Sequence, residues 1–148
     1  MFLGNFYTTN MEFTMSDLFE NENVIHSYSR KNMIEDGFLI EVPTELARQA
    51  GFTVPVGILF EVWESCVAWT DEDSKQQVLQ DEAARLWDLL NVLRVKAKTC
   101  SGDTVRFKLL RVPRDGKSET PQVIALKAVI GPGDTVEPVI TVMYPDQD

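Results

Sequence analysis

Apolar residues follow a helical rhythm most plainly between 81 and 98, where Ala83, Leu86, Trp87, Leu90, Leu93 and Ala97 recur at i, i+3, i+4 and i+7 spacing. Asp81 and Glu82 open this stretch and Arg94, Lys96 and Lys98 close it, the charge order that suits a helix dipole. A second helix is predicted over 56–69, with Pro55 ahead of its first turn and Ile58, Leu59, Val62, Trp63, Cys66 and Trp69 forming a buried stripe. Between the two, 70–80 is polar and reads equally as loop or exposed helix.

The rhythm then changes from 3.6 to 2. Over 104–112, Val105, Phe107 and Leu109 alternate with Arg106 and Lys108, which predicts a strand with one buried and one wet face. The run 122–130 is apolar on both faces apart from Lys127, as in a central strand, and 139–144 follows as a third. Pro113-Arg114-Asp115-Gly116 and Gly131-Pro132-Gly133-Asp134 are the turns that join them.

The first third is punctuated more finely. A short helix at 16–19 and a strand at 24–28 are expected. Ser29 is a plausible N-cap for a helix over 30–36 with Gly37 just beyond it. A strand follows over 38–42, stopped by Pro43, and Thr44 caps a helix to Ala50 that Gly51 closes. The whole predicts an α+β domain: a helical N-terminal half with short strands, and a C-terminal three-stranded antiparallel meander packed on the long 81–98 helix. Trp63, Leu86, Trp87, Leu90, Phe107, Leu109, Ile124, Leu126 and Ile140 are its expected core.

Length fits one domain: of 148 residues, 16–148 form a single unit and 1–15 read as an extension or alternative start, since Met11 and Met15 could also initiate. A chain this long buries enough surface to fold without a metal or disulfide. Its two cysteines, Cys66 and Cys100, are too few for a disulfide framework or zinc site, and Cys66 reads as a core thiol. No apolar run reaches the roughly 20 residues of a membrane span, and 1–10 lack the basic start of a secretory signal. The expected location is the cytoplasm, with no membrane partner.

Charge changes the picture. The formal net charge of −9 is lopsided: residues 1–74 hold 13 acids and three bases, whereas 75–148 hold 10 acids and 11 bases. Glu61, Glu64, Asp71, Glu72 and Asp73 are the densest carboxylates and the candidate binding residues for a basic partner. The plainer reading is a solvated surface that keeps the protein dissolved. Metal or glycosidase chemistry would need these groups to converge in a cleft, and their spacing does not require it, so neither metal nor cofactor is expected.

With one histidine, any triad-like chemistry must use His26. The candidate catalytic set is His26, Tyr28, Arg106 and Lys108, which would make a small enzyme acting on nucleic acid or nucleotides. Arg106 and Lys108 beside Lys127 would also form a positive patch able to hold phosphates. No exposed aromatic residues interleave with that patch to stack on bases, since Phe107 falls on the buried alternation, so nucleic acid is the less favoured partner.

Several stretches, taken together, resemble one family of unknown function found in bacteria and phages. They are Asp36-Gly37, Ala50-Gly51-Phe52, Val62-Trp63 with Cys66 and Trp69, Gln80-Asp81-Glu82 with Arg85-Leu86-Trp87-Asp88, and Val112 to Gly116. Leu126-Lys127-Ala128, Gly131 to Asp134, Glu137 to Thr141 and Pro145-Asp146 continue the resemblance, which covers the chain from about residue 24 to the end. Such families are carried on plasmids, integrative elements and phages. The resemblance implies no activity, only a setting in which small proteins block host defence complexes. The expected function is therefore a mobile-element accessory protein that binds a host or element-encoded protein, an inhibitor of anti-CRISPR or anti-restriction type, through its acidic surface.

Overall fold

The structure, a computed structural model, describes residues 29–148. The expected helix at 16–19 and strand at 24–28 lie outside the described residues, and so do His26 and Tyr28. Five helices and five strands are present among the described residues: α1 (Arg30–Glu35), β1 (Leu39–Glu41), α2 (Thr44–Gln49), β2 (Val56–Leu59), α3 (Phe60–Cys66), α4 (Asp71–Gln76), α5 (Glu82–Ala97), β3 (Thr104–Arg111), β4 (Gln122–Pro132) and β5 (Pro138–Met143).

The strands form one mixed sheet in the order β1-β2-β5-β4-β3. Neighbours are antiparallel except β2 and β5, which run parallel with Val56 opposite Ile140 and Ile58 opposite Val142. This overturns the expected fold of a three-stranded antiparallel meander on a long helix. The sheet has five strands, and the strand that converts it is β2, where a helix was expected over 56–69. Val56 and Ile58 lie in the core with Leu90 of α5, and on the other face Gly57 lies under the Arg30 side chain and Leu39, so all three are buried. A short apolar run covered on both sides carries no periodicity, so helix and strand look alike in it, and β-branched Val56 and Ile58 settle into the pleat. The helix starts only at Phe60.

Gly57 has a steric reason to be glycine. A Cβ there would lie 2.6 Å from Arg30 Nη2 and 2.9 Å from Leu39 Cδ1. Arg30 crosses the sheet at this point, with Nη1 donating to Thr141 Oγ1 at 3.0 Å and Nη2 to the Ile140 carbonyl at 3.3 Å. The helix that carries Arg30 is held at its N-terminus by a distant turn: Asp134 accepts the backbone N–H groups of Arg30 and Lys31 at 2.7 and 3.0 Å. Ser29 Oγ accepts from Asn32 N–H. These bonds satisfy three of the helix's otherwise open donors. The turn before β5 is therefore more than a hairpin connection.

Helix α2 follows Pro43, and no side-chain cap bond forms at its start, so Thr44 is its first residue rather than its cap. The undecided stretch 70–80 contains α4, opened by a capping box in which Thr70 and Asp73 satisfy each other's backbone N–H groups. In α5 the buried stripe is Arg85, Leu86, Leu89, Leu90 and Leu93. It is turned slightly from the expected one, with Leu89 inside and Ala83 exposed. The core joins α3, α5 and one sheet face through Ile58, Val62, Leu90, Phe107, Leu109, Leu126 and Val142. Leu86 and Ile140 lie in it as well, whereas Trp63, Trp87 and Ile124 are only partly buried at its margin. No helix among the described residues is long and apolar enough to cross a membrane.

Candidate functional site

Two groups of cations stand out, and their surroundings differ. The first gathers where α3 ends, α4 begins and β3 gives way to the loop 113–118. Arg85 is 4% exposed and has no carboxylate partner. Its Nε donates to the Val67 carbonyl, Nη1 to Gln80 Oε1 and the Val112 carbonyl, and Nη2 to the Ser65 carbonyl, at 2.8 to 3.2 Å. Its guanidinium carbon lies 4.5 Å from the centre of the Trp69 ring. Two of these carbonyls end α3, so the buried charge faces the negative end of a helix. Burial lowers the Arg85 pKa, with the neighbouring Cys66 raising it and Arg111 lowering it.

Arg111 Nη2 reaches Ser65 Oγ at 3.3 Å. Beside it the Cys66 thiol is held above its ordinary range, chiefly because it is buried, although Arg111 pulls the other way. A buried, protonated thiol is a poor nucleophile, which agrees with its place in the core. Arg114 donates from Nε to Asp73 Oδ2 at 2.8 Å and from Nη1 to Glu64 Oε1 at 3.1 Å. Burial raises the Asp73 pKa, but hydrogen bonds from Arg114 and Thr70 outweigh it and leave the carboxyl below the usual range. The turn beneath is organised by Gln77, whose Nε2 donates to the carbonyls of Pro113 and Ser118 and whose Oε1 accepts from Gly116 N–H.

The expected acidic binding set is thus divided. Glu64 and Asp73 are held by Arg114, while Glu61, Asp71 and Glu72 are exposed along α3 and α4. Glu72 accepts a hydrogen bond from Gln76 one turn on. No cluster of three or more metal-ligating side chains occurs among the described residues.

The second group of cations lies at the far edge of the sheet. Arg106 stands opposite Lys127 and Lys108 opposite Ala125 across the β3–β4 ladder, so Arg106, Lys108 and Lys127 share the face turned away from Phe107 and the core. Of the catalytic set of the sequence reading, Arg106 and Lys108 share this face, and His26 and Tyr28 lie outside the described residues. An open groove of about 940 Å³ runs along β3. One wall is α5, with Asn91, Val92, Val95, Lys96 and Thr99; the other is Arg106, Phe107 and Lys108 with Ala125, Leu126 and Pro145. Among the described residues that line it, three are cationic and none is acidic.

Lys96 and Val95 are the residues sequence reasoning did not assign to a site. Lys96 was accounted for by the helix dipole, and only the fold shows that the same turn of α5 borders the edge strand. Val95 carried a signal, being an apolar residue off the buried stripe, and it is 58% exposed.

Residues 15–148 match a family of unknown function, DUF6573, and the chain belongs to it. No curated protein and no solved structure matches the chain.

Proposed function

We propose that this member of DUF6573 works by binding, and that it takes an acidic segment of another protein into the groove between α5 and β3. The observation that carries this reading is the lining: Lys96, Arg106 and Lys108 border one groove, from its two walls, with no carboxylate among the described lining residues, on a chain of formal charge −9. By contrast Arg30, Arg48, Arg85, Arg111 and Arg114 all meet acceptors within the chain. Cations that border a groove without such partners are available to an anion from outside.

Phosphate backbone would feel the same field. However, the surface between the cations is aliphatic, and the aromatic ring in the lining, Phe107, is only 4% exposed. Bases would find no open ring to stack on, whereas carboxylates and short apolar side chains would both find partners.

Fluorescence anisotropy tests this with two labelled probes, an octapeptide alternating glutamate with valine and a single-stranded oligodeoxynucleotide. Peptide binding that weakens with salt, and weakens at least tenfold in the Arg106→Glu/Lys108→Glu variant, is the expected result. Binding of the oligonucleotide alone would replace the protein partner with nucleic acid.

A second reading concerns the opposite sign of charge. Glu61 on α3 and Asp71 and Glu72 on α4 are each exposed, and such carboxylates would compete for a basic nucleic-acid channel on a host defence complex. That is the action expected of a mobile-element inhibitor. Glu61→Lys/Asp71→Lys tests it without touching the Arg114 pairs, and inhibition that survives both changes would remove this reading.

A further inference from the structure

The ladder between β3 and β4 shows which backbone groups of β3 face outward. Ile130 N–H donates to the Asp103 carbonyl at 2.7 Å, and Thr104 stands opposite Val129. Asp103–Ile130 is therefore a hydrogen-bonded pair. In an antiparallel ladder such pairs alternate with non-bonded ones, so Val105, Phe107, Leu109 and Arg111 turn their N–H and C=O groups toward β4. Thr104, Arg106, Lys108 and Leu110 turn theirs away from it. No described strand lies on that side, because β3 ends the sheet. Arg106 and Lys108, whose amides face outward, are also among the residues that border the groove.

We propose that the acidic segment binds by strand addition: it extends along β3 as a sixth strand, hydrogen-bonded to the N–H and C=O groups of Arg106 and Lys108. This rests on the binding reading above and adds to it the mode of recognition and the pattern of the partner. Side chains of an added strand alternate between the two faces of the sheet. Those on the outer face come beside Arg106 and Lys108, where acidic residues are favoured. Those on the α5 face come beside Val92 and Val95, where small apolar residues are favoured. The matching segment therefore alternates acidic and apolar residues over about six to eight positions, the length of β3.

Charge also argues against the simplest competitor. An edge of this length is a template for pairing with a second copy of the chain. Antiparallel pairing of two β3 strands would set Arg106 and Lys108 of each copy against the bases of the other, and like charges directly opposite one another repel. An acidic strand meets no such penalty.

The alternating glutamate–valine octapeptide is the probe, tested against the full chain in three ways. First, backbone amide exchange of Arg106 and Lys108 should slow on binding, while exchange at Phe107 and Leu109, already paired to β4, should change little. Second, the same peptide N-methylated at the amides of alternate residues, in each of the two registers, should bind at least tenfold more weakly in one register. Third, Lys108→Pro removes an outward N–H without touching the β4 ladder and should lower affinity by a similar factor.

Undiminished binding by both methylated peptides, with the groove still the site, would overturn strand addition and leave the acidic-partner reading standing. Failure of the unmodified peptide to bind at all would overturn both. A dimer at micromolar concentration that Lys108→Pro dissolves would show that the occupant is a second copy, against the proposal. The methylated peptides need no variant, so the test holds even if Lys108→Pro fails to fold.

Discussion

The arginine cluster around α3 and the basic edge of β3 carry the same charge in opposite surroundings. In the cluster, Arg85 serves four acceptors and Arg114 two carboxylates, and the turn 113–118 is laid over them by Gln77. These cations hold the ends of three elements together. At the edge, Lys96, Arg106 and Lys108 face solvent across an aliphatic groove. A charge that the fold surrounds with acceptors contributes to stability. A charge that the fold leaves facing solvent among other charges of the same sign is available to an anion from outside, which is the role proposed for the edge. The two regions should respond to mutation in correspondingly different ways.

The largest effect is expected from Arg85→Met, which keeps the packing on Trp69 but leaves the carbonyls of Ser65, Val67 and Val112 without their donor. Each buried acceptor left unpaired costs about 1–3 kcal/mol, so a loss of about 3 kcal/mol or more in urea unfolding is expected. A loss below about 1 kcal/mol would mean that the cluster is not what holds these ends together. Next is Gly57→Ala, whose Cβ would meet Arg30 Nη2 at 2.6 Å and Leu39 Cδ1 at 2.9 Å. Overpacking of this kind costs about 1–3 kcal/mol, seen as a lower thermal midpoint.

How much of this contrast could be read from the chain depends on whether each feature is local. The α5 helix was legible because its caps, dipole charges and apolar spacing all lie within one stretch. The alternation of β3 was legible for the same reason, and with it the shared face of Arg106 and Lys108. Strand β2 was not, because what makes Val56 to Leu59 a strand is parallel pairing with β5, more than 80 residues further on. Nothing in four apolar residues encodes a partner that distant.

The roles of Asp134 at the start of α1 and of Arg30 across Gly57 were hidden by the same sequence separation. One local signal was present and not used: Thr70 and Asp73 have the spacing of a capping box, which marks α4. The candidate acidic surface was legible as composition, but its division into paired Glu64 and Asp73 and exposed Glu61, Asp71 and Glu72 depended on where Arg114 falls in the fold.

At the edge the expected stability changes are small. Arg106→Glu/Lys108→Glu should leave the unfolding free energy within about 0.5 kcal/mol per substitution, the ordinary range for surface changes. A larger loss would make these residues structural and erase the contrast with the cluster.

The smallest effect is one of pH. Hydrogen bonds from the Ser118 hydroxyl and the backbone N–H groups of Ser118 and Lys117 lower the Asp115 pKa from 3.8 to about 2, and Asp73 is lowered as well. A depressed folded-state pKa contributes stability above the unfolded value that is lost as pH falls toward the folded one. The turn 113–118 should therefore loosen between about pH 4 and pH 2. Asp115→Asn should flatten that part of the stability profile.

The central claim is that the unpaired cations beside β3 receive an acidic partner. The most direct measurement is a backbone amide NMR titration of the full chain with the alternating glutamate–valine octapeptide at low salt. Shifts confined to β3 between Thr104 and Leu110 and to the Asn91–Thr99 side of α5, abolished in Arg106→Glu/Lys108→Glu, are the predicted result. Shifts centred elsewhere on the molecule, or none at peptide concentrations in the millimolar range, would contradict it.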